Sequence, residues 1–564
     1  MKPEDGFGKK YGYVPDEGGA YFIRKFERGT GMKNNTYDAI IIGAGHNGMA
    51  LSTYLGKSGW RVLVLERRQE EGGGLSTETY TLPGFLHNLH SNYHTFVGLC
   101  PVYDDLNLIG GDGVSYAHPP VQMGSIFDDG TALTIHRDMK KTHASMSRFS
   151  EKDADTFMRL YKEVKGFQDL MIRTLMYAPP IDVNTITRAL TKLGVEEKTE
   201  FFRAKLRAMS INDFLNQHFE SDKIKAMLAF HASVCGYYTD RVGLAISFPF
   251  MLGKIDNWQL AMGGSHRLAH ALWRQMRRAG VTLIPAAPVK DIILENGRAA
   301  GVRLSDGTEF HAGKLVASSV DVYQTFKEML PPNSVSLNVH EAVDGYEYQE
   351  GSTFSVHLAM DRIPTYKAAA FDPDIDRAWV LNIGYNSLDD FNKDWEDIRH
   401  NRVPDAPKLN VAVNSMYDPY DAPEGKATGL LRLFAPFDIQ GNGADEWDNF
   451  KEAYMQQCIT KWLAYCEDFT ANDILMARAY TPRDISVKLT NMRNGDWMVG
   501  RISEDNLMAN RPWPAMSQYR TPIKGLYLCG SCAHPHGFIT FGPGYNALDV
   551  IADDFGLDKW WIEI

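Results

Sequence analysis

An α/β fold built around a dinucleotide-binding unit is predicted by three features of the 564-residue chain. The stretch TYDAIIIGAGHNGMALSTYLGKSGWRVLVLERR, residues 36–68, sets two short apolar runs on either side of a glycine-rich turn and a helical pattern. Residues 263–318 repeat the order helix then strand and add two Asx-Gly turns between alternating runs. Near the C-terminus an apolar run enters a glycine in LYLCGSCAHPHGF, and FGPGYNA then leads into a last helical pattern. Three separated stretches carry one signature, so the less regular segments between them are expected to form a second, interleaved α+β domain.

Taken in order, residues 1–36 read as a polar, Gly-containing arm without a signal-peptide core. Whether it wraps the body or a neighbouring subunit of a homo-oligomer stays open. Asp38 to Ile42 is continuously apolar after its first residue, as a parallel strand covered on both faces is. In the following GxGxxG, Gly43 permits a tight turn, Gly45 lets backbone approach a pyrophosphate, and Gly48 lets helix and strand pack closely. The helix N-terminus offers free N–H groups to phosphate. Val62 to Leu65 is the second strand, and Glu66 at its end is placed to accept hydrogen bonds from a ribose diol.

A second glycine cluster, Gly72-Gly73-Gly74, follows that acid and suggests a further backbone approach to a long dinucleotide. The run ER-x4-GGG-x-STE followed by LPGFLHNLHSNYH resembles the phytoene-desaturase-like flavoproteins of the amine-oxidase-type group. That resemblance implies FAD, with Glu66 on the adenosine ribose, Arg67 beside it, and Gly72 and Gly73 near the pyrophosphate and flavin. Gly74 stands where the family often has arginine, which points to a subgroup of desaturase-like oxidoreductases.

In GGSHRLAHALWRQMRRAG, Leu268, Leu272 and Met276 mark one helical face, and Asn296-Gly297 and Asp306-Gly307 are strong hairpin signals. By the resemblance, backbone near Val289 contacts the adenine. The FAD domain is then assembled from residues 37–120, 255–324 and 505–564, and the substrate domain from 121–254 and 325–504.

The C-x-x-C of Cys529 and Cys532, with His534 and His536 just beyond, invites a zinc or dithiol reading. No metal is expected there, because Cys529 ends a buried strand and Gly530 must approach the cofactor, so the four side chains do not converge on one tetrahedron. The resemblance makes this the closing flavin motif: Gly530 and Ser531 turn toward ribityl and phosphate, and Gly544, Tyr545 and Asn546 begin the final helix, whose dipole stabilises charge on the reduced flavin. Where relatives carry glycine, this chain has Cys532, His536, Phe538 and Phe541, and Tyr545 replaces a frequent arginine. Such rings fill the room a long polyene needs, so a compact or aromatic substrate is expected. For proton transfer the candidates are His536, then His534, then Tyr545.

His87, His90 and His94 lie close together without acidic partners; a structural or flavin-proximal place is favoured over a metal, with His90 and His94 facing substrate. Tyr237, with Tyr238, Phe248, Phe250 and Trp258, could line an apolar pocket. The segment KTEFFRAKLRAM suits a helix packed on its own core, and leaves a peripheral membrane contact open.

The net charge of −11 gives no reason to expect nucleic acid, six scattered cysteines fit a reducing cytoplasm, and no run nears the roughly 20 apolar residues of a membrane span. The expected activity is removal of a hydride from a C–H bond of a small apolar organic substrate. The electron acceptor is oxygen, a quinone or a protein carrier. The alternatives are a carotenoid-type polyene desaturase, an amine or alcohol oxidase using oxygen, and a non-enzymatic binding protein on the same fold.

Overall fold

Both faces of the strand Thr36–Ile42 are covered, which explains its unbroken apolar run. Ala39 and Ile41 pack into one hydrophobic cluster and Ile40 and Ile42 into another on the opposite face. Val62–Leu65 divides in the same way, with Val62 and Val64 on the first side and Leu63 and Leu65 on the second. A computed structural model describes residues 35–192 and 204–562.

These strands lie inside a seven-stranded sheet ordered Val289–Glu295, Arg298–Leu304, Glu309–Ser318, Thr36–Ile42, Val62–Leu65, Thr282–Ile284, with Leu526–Leu528 pairing parallel to the end of Glu309–Ser318. The parallel pairs bury the centre, and the antiparallel strands form one edge. The expected hairpin at Asn296-Gly297 is present; φ is 51° and 76°, the double left-handed geometry that this dipeptide favours. The helix His46–Lys57 packs against His266–Arg278 and Gly542–Phe555.

A second seven-stranded sheet is ordered Ile474–Tyr480, Gly351–Met360, Ala427–Pro436, Leu409–Ala412, Ala378–Ile383, Val121–Ile126, Ala132–His136. Helices including Asp222–Val234 cover one face, where Tyr237, Tyr238, Phe248 and Trp258 join the largest core cluster. Both sheets belong to one compact unit that begins at Tyr37.

The N-terminal arm lies outside the described residues, as do Lys198, Phe201, Phe202 and Arg203 of the basic segment. Of its remainder, Leu206 is buried and Arg207 pairs with Glu504 at 2.7 Å. Among the described residues no helix is long and apolar enough to cross a membrane.

Candidate active site

Three chain segments meet at the end of the central strands, and their glycines are fixed by contact. A Cβ on Gly48 would stand 2.4 Å from the Gly43 carbonyl oxygen, on Gly530 2.3 Å from the Ser319 oxygen, and on Gly544 2.3 Å from the Asn47 oxygen. The Ser319 hydroxyl donates to the Ile42 carbonyl at 2.7 Å and closes the junction. Gly45 is different: nothing lies within 4 Å of where its Cβ would be, because it faces a cavity.

That cavity, of about 490 Å³, runs between the two sheets. Gly43, Gly45, Gly73, Gly74 and Ser531 line its middle, and Glu66, Arg67 and Val289 line one end. Gly73 sits at φ +57°, and its Cβ would come 3.2 Å from the Cα of Gly45, so the two glycine turns touch. Glu66 accepts from the Ala44 N–H at 2.8 Å and the Arg68 N–H at 2.9 Å. A carboxylate offers about four acceptor sites, which leaves room for a ribose diol. At the start of the helix His46–Lys57, His46 Nε2 and Asn47 Oδ1 are buried without a partner, two orphaned polar atoms beside the glycine turn.

The opposite end opens against the second sheet and is walled by His90, Tyr93, Phe230, Val234, Tyr385, Lys408, Asn410, Arg432 and Phe434. The Tyr93 hydroxyl donates to Asn410 at 2.8 Å, Lys408 pairs with Asp394, and Tyr385 donates to the same carboxylate at 2.7 Å. Burial, with the nearby Arg432 and Arg68 charges, pushes the His90 imidazole down to about 3.

His534 and His536 do not line this chamber. With Tyr237 they line a smaller cavity of about 140 Å³, and Phe538 stands between the two, on the wall of both. His536 Nδ1 lies 2.8 Å from the Gly537 carbonyl, and its Nε2 is 3.4 Å from the Tyr237 hydroxyl. Burial pushes both imidazoles down to about 3, and the Arg511 charge adds to it. Tyr545 packs edge-on against Tyr54 and Tyr177, and burial raises its phenol. Phe541 packs on His46 and Tyr103, and Asn546 donates to the Met176 carbonyl at 2.9 Å. His94 is held on both ring nitrogens, by Tyr116 at 2.8 Å and Ser265 at 3.1 Å. Gly72, at φ +102°, packs on Ala269 and serves the turn rather than the cavity wall. Cys529 and Cys532 are buried free thiols, and burial pushes Cys532 up to about 12.

Sequence reasoning missed the polar wall of the second sheet. A signal was present in Gly-Leu-Leu-Arg-Leu-Phe-Ala-Pro, where Arg432 is the one charge in an otherwise apolar strand. Glu71 with His266 and His270 was also missed; their ligating atoms lie within 4.8 Å of one another, and His266 Nδ1 holds the Leu75 carbonyl at 2.9 Å behind the second glycine turn.

Two family profiles match the chain: a NAD(P)-binding Rossmann-like domain over residues 41–99 and flavin containing amine oxidoreductase over residues 125–449. The chain belongs to the flavin-containing amine oxidoreductase family. It is 31% identical to a limonene dehydrogenase component of Castellaniella defragrans, covering 93% of this chain and 96% of that protein. It is 27% identical to pyridine nucleotide-disulfide oxidoreductase domain-containing protein 2 of Rattus norvegicus over 92% and 94% of the two chains. Cyclohexylamine oxidase from Brevibacterium oxydans shares the fold, with a TM-score of 0.53 at 15% identity over 92% of this chain and 99% of that one. The protein is an FAD-dependent oxidoreductase. The paired glycine turns, the acid at the strand end and the orphaned His46 and Asn47 atoms fit that cofactor.

The contrast between Gly45 and Gly48 makes two substitutions separable. Gly45→Ala is expected to keep the thermal midpoint within a few degrees while lowering the FAD-to-protein ratio, because the new methyl enters the cavity. Gly48→Ala is expected to lower both by overpacking, at a cost of about 1–3 kcal/mol; equal FAD retention in both would refute the assignment. Absorbance of the purified proteins and a melting curve suffice.

Acid stability follows from the buried histidines. The native state keeps His90, His94, His534 and His536 neutral down to about 3. The unfolded chain protonates them below about 6.5, so unfolding takes up protons and stability falls as pH drops from about 6.5 toward 3, by up to about 1.4 kcal/mol per pH unit for each. The urea midpoint is expected to be clearly lower at pH 5 than at pH 7.5; matching midpoints would mean that these imidazoles are charged in the native protein.

Proposed function

We propose that the protein dehydrogenates a compact substrate with an apolar, ring-like body, taking a hydride from one of its C–H bonds. The observation that carries this reading is the near full-length similarity to a protein named for limonene dehydrogenation, a name that specifies a small cyclic hydrocarbon. The chamber supports it: Phe230, Val234, Leu433 and Phe434 give it apolar wall, and Phe538 and Trp497, with ring centroids 6.0 Å apart, stand on its wall where a long polyene would need room. FAD, when bound, supplies the two-electron acceptor. The chain's own residues orient the substrate carbon, exclude water and take up the proton.

An amine substrate is disfavoured by charge. Arg432 and Lys408 both line the chamber, and Glu66 and Glu328, which also line the cavity, stand among the residues of its other end; a protonated amine would meet like charge. We place proton uptake on His90, on the wall of the large chamber, ahead of His536 in the smaller one; Tyr480 steadies the His90 ring at 3.3 Å. Electrons pass onward from the flavin to oxygen, a quinone or a protein carrier, which peroxide formation under air separates.

Anaerobic bleaching of the bound flavin by a panel of compact cyclic compounds and long polyenes tests the substrate class. Bleaching by ring compounds is expected, and bleaching by polyenes alone would overturn the reading. With an active ring compound, His90→Ala is expected to slow flavin reduction at least about tenfold, within the range of one acid-base group, while His536→Ala stays near wild type. The opposite order would move the role to His536.

A further inference from the structure

Arg432 is a cation that the dehydrogenation reading leaves without a task. It projects from the strand Ala427–Pro436, in register with Ser355 on one side and Asn410 on the other. Its hydrogen bonds go to neutral atoms: Nε donates to Ser355 Oγ and Nη2 to the His90 carbonyl, both at 3.3 Å. Nη1 makes no hydrogen bond to any described residue, and none of their carboxylates lies within ion-pair distance of the guanidinium. Its cationic neighbours in the same cavity are treated differently. Lys408 holds Asp394, and Arg68 holds Glu70.

A guanidinium stays charged at any working pH, and taking it out of water costs several kcal/mol unless an anion and further hydrogen bonds compensate. The surface that Arg432 does expose opens into the chamber, so the missing anion has one place from which to come. The planar fork of arginine matches a carboxylate bidentately, and the Asn410 amide and Tyr93 hydroxyl stand beside it as neutral polar neighbours.

We propose that the substrate carries a carboxylate on its apolar body, and that Arg432 receives it. The inference rests on the dehydrogenation reading for the body of the molecule and adds the polar handle that orients it. Phe434, two residues along the same strand face, and Phe230 and Val234 across the chamber then take the ring. A carboxylate here would also neutralise a charge that, after burial, holds His90 down.

The holoenzyme can be titrated with cyclohexanecarboxylate and with cyclohexylmethanol, following the visible spectrum of the bound flavin, and each probe can then be tested for anaerobic bleaching. Wild type is expected to bind the acid at least about tenfold more tightly, the order of one charge-assisted pair. Arg432→Met should lose that preference while keeping its FAD and its affinity for the alcohol. Arg432→Lys, which keeps the charge without the fork, should retain part of it and covers the case in which the methionine variant does not fold. Equal binding of the two probes by wild type, or a preference that survives in Arg432→Met, overturns the proposal. A shifted flavin midpoint potential in Arg432→Met with the preference intact overturns it too and assigns the charge to the cofactor. A preference for the acid with no bleaching by any ring compound, acidic or neutral, upholds the receptor and fails the dehydrogenation reading; bleaching by neutral rings with no preference does the reverse.

Discussion

The site depends on how closely three distant stretches of backbone approach one another at the end of the first sheet. Gly48 lies against the Gly43 carbonyl, Gly530 against that of Ser319 and Gly544 against that of Asn47, each at a separation that excludes any Cβ. Side chains cannot mediate contacts this short. The helix His46–Lys57, the end of the strand Glu309–Ser318 and the start of Gly542–Phe555 are therefore held by main chain, and the cavity beside them inherits that rigidity. A cofactor bound by backbone in this way needs few side chains of its own, which is consistent with Gly45 and Gly73 facing open space where other proteins would place residues.

From that junction the rest of the architecture follows. The first sheet provides the glycine turns and the acid at the strand end, and the second closes the far end with a wall in which polar groups alternate with apolar ones. Asn410, Arg432 and Ser355 sit side by side because antiparallel register puts opposed residues on one face. The wall is thus specified by strand pairing across residues 351–436, far from the motifs that announce the cofactor.

This separation explains what could be read from the sequence. The βαβ unit, the Asn296-Gly297 hairpin and the glycine roles were legible because each rests on local rules of conformation or contact that a short stretch fully contains. The direction of the loop after Gly530 was not. Positive φ at His536, Phe538 and Phe541, of 154°, 76° and 57°, sends successive side chains in directions that no periodicity specifies. Only Phe538 of these reaches the large chamber, while His536 turns into the smaller cavity and Phe541 into the packing around His46. Arg432 left a trace as a lone charge in an apolar strand, but its meaning required knowing that no carboxylate stands opposite, a fact of tertiary structure.

The charge pattern of the chamber then bears on how the reaction can begin. A C–H bond next to an apolar ring is broken either by a strong base or by removal of a hydride, and the chamber wall offers no strong base. The Asp394 carboxylate is held by Lys408 and Tyr385, and the neighbouring imidazole resists protonation because it is buried beside two guanidinium groups. Hydride departure leaves positive charge on the substrate, which an unneutralised Arg432 would oppose. An acid seated on that guanidinium removes the opposition and fixes the ring at the same time. Orientation and electrostatics converge on a single contact, at the end of the chamber remote from the glycine turns.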